Sequence, residues 1–136
     1  MTIRSSQEEK QHVRLIVELV DSLQQRGYES IRAEHVEGFE DLRPQPIYSE
    51  KHDHYFTPDV SAKKDGKSVI FEVETAGSLD APSSRAEQKT FASFAAKNEV
   101  LYYLAVPEDI RRRAEAVLAM IEEKRQRATF VLSLPI

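Results

Sequence analysis

The sequence predicts a single mixed α/β domain in which helices cover both faces of a central sheet. Three observations predict this class: helical spacing of apolar residues near the start, a β-hairpin in the middle, and strands alternating with helices afterwards. The resulting element order is α-β-β-β-α-β-α-β, and strand-helix-strand crossovers that follow a hairpin make a sheet mixed. A length of 136 residues suits one domain with its own hydrophobic core. We therefore treat residues 1–136 as one domain.

The N-terminal part is predicted to begin with a helix over residues 7–26. Gly27 is a typical stop signal. Residues 28–36 then read as a short strand, and residues 37–57, which contain two prolines, as an irregular connection. The helix is indicated by apolar residues at helical spacing, namely Val13, Ile16, Val17, Val20 and Leu23.

The centre of the chain is predicted to be a β-hairpin. Two β-rich runs, residues 59–64 and 67–75, flank Asp65 and Gly66, and this dipeptide is the signature of a two-residue type I′ turn. Apolar residues fall on both faces of the second strand, which indicates that it is central and largely buried. Ile70 lies on one face, and Val69, Phe71 and Val73 lie on the other.

The hairpin register brings carboxylates together. With Lys64 facing Lys67, counting back places Asp59 directly opposite Glu72, about 5 Å apart at Cβ. Glu74 points to the same side as Glu72, because it lies two residues further along the strand. Like charges that face each other cost stability unless a cation lies between them. The pattern therefore predicts a metal site.

The C-terminal part is predicted to contain two helices and two strands. The first helix starts near residues 82–84 and ends near Lys97, and residues 100–106 form a strand buried on both faces. Pro107 opens the last helix, and residues 129–134 form the final strand. The first helix is expected to bury Phe91, Phe94 and Ala95, and the last helix Ile110, Ala114, Val117, Leu118 and Ile121.

Composition excludes several classes of protein. The chain has no cysteine, which rules out disulfides and thiolate metal sites and favours a cytoplasmic location. No apolar run approaches the ~20 residues of a membrane span, and the polar N-terminus lacks the apolar segment of a signal peptide. The net charge of −4 argues against a protein that coats nucleic acid nonspecifically.

The element order, with Pro58 and Asp59 on the second strand and Glu72-Val73-Glu74 on the third, resembles the PD-(D/E)XK nuclease superfamily. The resemblance in topology covers most of the chain and implies a restriction-endonuclease-like fold. It implies that Asp59 and Glu72 bind Mg²⁺ or Mn²⁺ and that DNA is the substrate. Homodimerisation and membership of a larger nucleic-acid-processing complex are further expectations from the resemblance.

The family lysine falls at Glu74 in this chain. Some members carry Glu-x-Glu here, and Glu74 is expected to act as a general base for water or to help hold a second metal ion. Lys89, on the following helix, falls opposite Phe91 on the helical wheel and faces away from the sheet. Gln88 lies nearer the packed face and is preferred as the residue that orients groups in the site.

The remaining polar features have simpler interpretations. Glu9 lines up with the apolar stripe of the first helix, but an ordinary acid in a first helical turn is the preferred interpretation, and Glu18 is expected at the surface. His52 and His54 resemble metal ligands, yet a polar loop is the preferred interpretation, since no further ligand stands at a recognisable spacing. Solvated surface is likewise preferred for two basic clusters, Lys63-Lys64-Lys67 and Arg111-Arg112-Arg113.

Metal-dependent hydrolysis of DNA phosphodiester bonds is the function that the sequence favours. Two alternatives stay open. One is a catalytically impaired module with the nuclease fold that serves DNA binding or protein assembly. The other is an α/β domain that binds small molecules or proteins and has no connection to nucleic acid.

Overall fold

The computed structural model describes residues 6–121 and 127–135. Three α-helices and the strands of the larger sheet follow one another in the order α-β-β-β-α-β-α-β, with an additional short hairpin after the first strand. The elements are α1 (Ser6–Gln25), β1 (Glu29–Ala33), β2 (Ile47–Ser49), β3 (His54–Phe56), β4 (Val60–Lys64), β5 (Lys67–Val73), α2 (Pro82–Asn98), β6 (Leu101–Pro107), a 3₁₀ turn (Glu108–Ile110), α3 (Arg111–Ala119) and β7 (Thr129–Leu134).

The larger sheet has five strands in the order β1-β4-β5-β6-β7. Strand β4 pairs antiparallel with both β1 and β5, whereas β6 pairs parallel with both β5 and β7. The sheet is therefore mixed, as predicted. Strand β5 lies at its centre, with β4 on one side and β6 on the other.

The prediction that residues 37–57 form an irregular connection was wrong. Strands β2 and β3 pair there as a separate two-stranded sheet, with Tyr48 opposite Tyr55. Each strand has only three residues, which is too short for an alternating pattern to be recognised in the sequence. Packing stabilises this hairpin, because Ile47 and Phe56 are buried in the same apolar cluster as Phe91 of α2.

The central hairpin has the predicted register. Asp65 and Gly66 have φ angles of 52° and 77°, so both central residues are left-handed, as a type I′ turn requires. Lys64 pairs with Lys67, and Val60 pairs with Phe71 at the other end of the ladder.

Helices cover both faces of the sheet, as predicted. Helix α1 packs on the face that carries Val69, Phe71 and Val73, whereas α2 and α3 pack on the face that carries Ile70. The stripe predicted for the last helix is buried throughout. In α2, Phe91 and Ala95 are buried, and Phe94 packs against the cluster at half burial.

The predicted buried face of α1 was partly wrong. Val17 is 36% exposed and Val13 is half-buried, while Leu15 and Leu19 are completely buried. The apolar residues of this helix spread around more than one face, and only its position on the sheet selects which ones are covered. The way in which α1 is rotated about its axis against the sheet also buries His12.

Candidate functional site

Asp59 and Glu72 meet at one end of the central hairpin. Asp59 immediately precedes β4, and continuing the pairing of Val60 with Phe71 by one residue places it opposite Glu72. The backbone N–H of Asp59 donates to Glu72 Oε1 at 3.1 Å, and the backbone N–H of Val73 donates to Asp59 Oδ2 at 2.8 Å. The predicted opposition of these two carboxyl groups is confirmed.

The two carboxyl groups have opposite shifts in pKa. Burial on its own would raise the pKa of Asp59, but His12, the Glu72 carboxyl and the Val73 N–H outweigh burial and lower it. The pKa of Glu72 lies well above its ordinary value of 4.5 because of burial first, and then because of the charge of Asp59 and a hydrogen bond with Glu87. Two carboxyl groups this close cannot both ionise without cost, so the pKa of Glu72 rises while that of Asp59 falls.

Helix α1 contributes a histidine to this pair. His12 is 2% exposed, and its Nε2 lies 3.1 Å from Asp59 Oδ2. The other ring nitrogen, Nδ1, is buried and has no hydrogen-bond partner among the described residues; Glu9 Oε1 lies 3.8 Å away. His12 was not among the site residues predicted from the sequence, which on this helix included only acids. Its spacing from the buried residues Leu15 and Ile16 was the available signal.

Glu74 lies in the same buried region but has its own partners. Ser78 Oγ donates to Glu74 Oε1 at 2.8 Å, and Gln88 Nε2 donates to Glu74 Oε2 at 3.1 Å. Glu74 and Gln88 are each 1% exposed, whereas Lys89 is exposed. The helical wheel therefore correctly predicted that Gln88 lies on the packed face of α2 and Lys89 does not. Gln88 thus contacts Glu74 and holds the orientation of its carboxylate.

Two further residues lie near Glu72 and Glu74 and were not predicted from the sequence. Glu87, one residue before Gln88 on α2, hydrogen-bonds to Glu72 and is half-buried. Tyr102 on β6 is completely buried and pairs in register with Ile70, and the next pair along this face is Leu104 with Glu72. We refer to Asp59, Glu72, Glu74 and Glu87 as the carboxylate cluster.

The donor chemistry of the carboxylate cluster fits a hard divalent cation. Carboxylate oxygens are the ligands that Mg²⁺ and Mn²⁺ prefer. Over residues 6–121 and 127–135, however, no three or more His, Asp and Glu side chains are arranged as a metal-holding group. Asp59 and Glu72 instead accept hydrogen bonds from backbone N–H groups, and binding of a cation between them would compete with protonation of Glu72.

The His52-Asp53-His54 segment has a structural role. Asp53 has a left-handed φ of 47°, so the segment turns between β2 and β3 and is not extended. Ser49 Oγ lies 2.9 Å from His52 Nδ1, and the rings of His52 and His54 both pack against Phe56. These contacts pack both histidines within the β2–β3 hairpin.

The lysine cluster lies away from the carboxylate cluster, whereas Arg113 donates to the backbone carbonyl of Ala76, two residues after Glu74. The lysines occupy the hairpin tip, five residues from Asp59 along β4, which corresponds to about 16 Å. Lys64 donates to the carbonyl of Arg26 and lies over the ring of Tyr28. In the arginine run, Arg111 and Arg113 form ion pairs on the surface.

The described residues therefore define a mixed α/β domain with a buried carboxylate cluster at one end of its central hairpin. Comparison of the chain with protein-family models, with curated proteins and with solved structures finds no match. Within residues 6–121 and 127–135, none of the helices has the length and apolar character needed to cross a bilayer.

Proposed function

We propose that this protein is a divalent-metal-dependent nuclease of the PD-(D/E)XK type that hydrolyses DNA phosphodiester bonds. The observation that carries the proposal is the buried Asp59–Glu72 pair on the central hairpin, in which burial and the charge of Asp59 raise the pKa of Glu72. A carboxyl group in this state is costly without a ligand and suits exchange of its proton for a metal ion. The restriction-endonuclease-like fold is part of the proposal, and the strand order β1-β4-β5-β6 with α1 and α2 on opposite faces supports it.

Asp59 and Glu72 would hold the cation. A bound divalent cation neutralises charge on the phosphate and lowers the pKa of a coordinated water. His12 positions Asp59 through the contact between Nε2 and Oδ2. This contact, together with the Val73 N–H, directs Asp59 Oδ2 into the protein and limits rotation of the carboxylate.

Glu74 would accept a proton from the attacking water. Ser78 and Gln88 hold one carboxylate oxygen each, so the orientation of the base is set before substrate arrives. Glu74 stands where the resemblance places a lysine, and a carboxylate cannot stabilise the negative charge of the phosphate. The cation and residues outside this triplet therefore have to supply that stabilisation.

The test is metal-dependent cleavage of supercoiled, linear duplex and single-stranded DNA. We expect cleavage by the wild type with Mg²⁺ or Mn²⁺, and a loss of at least a hundredfold in Asp59→Asn and Glu72→Gln, in line with the loss of a group that acts in the transition state. Glu18→Gln is the matched control, because Glu18 is an exposed acid on α1. Equal cleavage by all four proteins would refute the assignment of the active site to Asp59 and Glu72.

A second candidate function is a nuclease fold that binds DNA or assembles with protein without cutting. The observation that favours it is that, among the residues that the structure describes, no lysine replaces the family lysine. Glu74, which stands at that position, is buried, and Lys89, the candidate replacement on α2, is exposed. Such a module binds DNA with an affinity that falls as salt rises and leaves plasmid intact with either metal. A domain with no connection to nucleic acid shows neither cleavage nor salt-dependent DNA binding.

Homodimerisation belongs to the same proposal, because one domain of this size offers little surface for contact with a DNA duplex. Light scattering during size-exclusion chromatography tests it. A strict monomer with undiminished DNA cleavage would exclude the dimer and leave the nuclease proposal intact.

A further inference from the structure

Tyr102 has a buried hydroxyl group that is not used by the fold. The side chain is completely buried, and its oxygen has no hydrogen-bond partner among the described residues. A buried hydroxyl without a partner costs stability, because it has lost its hydrogen bonds to water. The ring of Tyr102 packs edge-on against Phe91 with centroids 5.7 Å apart. A phenylalanine would make the same contact without that cost.

The hydroxyl of Tyr102 lies in the field of the carboxylate cluster. Tyr102 pairs with Ile70 and lies on the same face of the sheet as Glu72, which belongs to the second register pair further along the β5–β6 ladder. Burial raises the pKa of Tyr102 well above 10, and the charges of Glu72, Glu74, Glu87 and Asp59 raise it further in that order. The hydroxyl is therefore a proton donor at neutral pH. The charges that raise its pKa all belong to carboxylates.

We propose that the Tyr102 hydroxyl is a water-positioning group, which donates a hydrogen bond to a water that enters the carboxylate cluster with a divalent cation held by Asp59 and Glu72. This inference rests on the proposed nuclease function and assigns Tyr102 part of the task that the missing lysine leaves open. A neutral donor suits this place, because it orients the water without competing with the cation for the carboxylates. The cost of the unpartnered hydroxyl is then removed only in the metal-bound protein.

The proposal predicts opposite effects of one substitution on stability and on function. Tyr102→Phe removes a single oxygen atom, so the metal-free variant should melt at the same temperature as the wild type or higher. Loss of a group that hydrogen-bonds to a metal-bound ligand typically reduces metal affinity or activity by about 10- to 100-fold. We therefore expect the dissociation constant for Mn²⁺ to rise about tenfold and kcat for DNA cleavage to fall by a similar factor, with KM unchanged.

The experiment measures three quantities on the full chain: melting temperature in EDTA, Mn²⁺ affinity by calorimetric titration, and kcat and KM for DNA cleavage. Tyr103→Phe is the matched control, because Tyr103 is the next residue on β6 and stacks on Phe71 at the opposite face. This control variant should bind Mn²⁺ and cleave DNA like the wild type.

Three outcomes overturn the inference. If Tyr102→Phe matches the wild type in both Mn²⁺ affinity and kcat, the hydroxyl has no role and the nuclease proposal stands. If Tyr102→Phe melts markedly lower without metal, the hydroxyl is a structural group. If the wild type itself binds no Mn²⁺ and cleaves no DNA, the proposed function fails together with the inference.

Discussion

Glu72→Gln should change how the stability of the metal-free protein depends on pH. Glu72 is 4% exposed, and its pKa in the folded protein lies well above the ordinary value of 4.5. Between those two pKa values the folded protein binds a proton that the unfolded chain has released. The contribution of Glu72 to stability is therefore complete below pH 4.5 and is lost as pH rises through the folded pKa.

The slope of this loss follows from proton linkage. One proton held only by the folded state lowers the free energy of unfolding by up to about 1.4 kcal/mol for each pH unit above 4.5. Asp59 has the opposite sign, since its pKa is lowered from 3.8 and its contribution is lost only as pH falls below that value. The two pH windows do not overlap, so of these two carboxyl groups only Glu72 contributes a loss that develops above pH 4.5.

Urea unfolding between pH 4.5 and pH 8 in EDTA measures the effect. The free energy of unfolding of the wild type minus that of Glu72→Gln should decrease as pH rises, because glutamine does not titrate. Glu18→Gln, which changes an exposed acid of α1, should give a difference that does not vary with pH. Adding Mg²⁺ or Mn²⁺ should stabilise the wild type more at higher pH, since the cation needs ionised carboxylates. A difference between wild type and Glu72→Gln that stays constant over this range would refute the assignment of the proton to Glu72.

Three further substitutions test the packing around the site by urea unfolding at pH 7. His12→Ala removes the side-chain partner of the buried Asp59 and should cost about 1–3 kcal/mol, as for a buried polar group that loses its hydrogen bond. Phe71→Ala empties a position on the central strand that is 1% exposed and should cost about 3–5 kcal/mol. Gly66→Ala places a Cβ at a φ of +77° with no atom within 4 Å, so backbone strain alone should cost about 1–2 kcal/mol.

Each of these substitutions has an outcome that contradicts its reasoning. An unchanged free energy of unfolding in His12→Ala would mean that the α1 histidine does not stabilise Asp59. A loss below about 1 kcal/mol in Phe71→Ala would place that ring outside the packed core. Stabilisation of the protein by Gly66→Ala would show that the turn is not left-handed at this position.

Local sequence signals were sufficient to predict the central hairpin and the carboxyl groups that it contributes to the site. Asp65 and Gly66 select a turn of two residues, and a turn of known length sets the register of both strands. That register places Asp59 opposite Glu72, and the two-residue period of the strand places Glu74 on the same side. The helical wheel likewise separated Gln88 from Lys89, because Phe91 marks the buried face of α2 unambiguously.

Only the tertiary structure brought His12, Glu87 and Tyr102 to the carboxylate cluster. His12 and Asp59 are 47 residues apart, and no local pattern encodes how α1 is rotated on the sheet. Its apolar residues cover more than one face, so packing against β1, β5 and β7 decided that His12 is buried and Val17 exposed. The short β2–β3 hairpin was missed for a related reason, since contact with α2 stabilises strands that are too short to show a period. The sequence by itself determined which carboxyl groups face each other, because a strand register is a local property. Packing between distant elements determined what surrounds them.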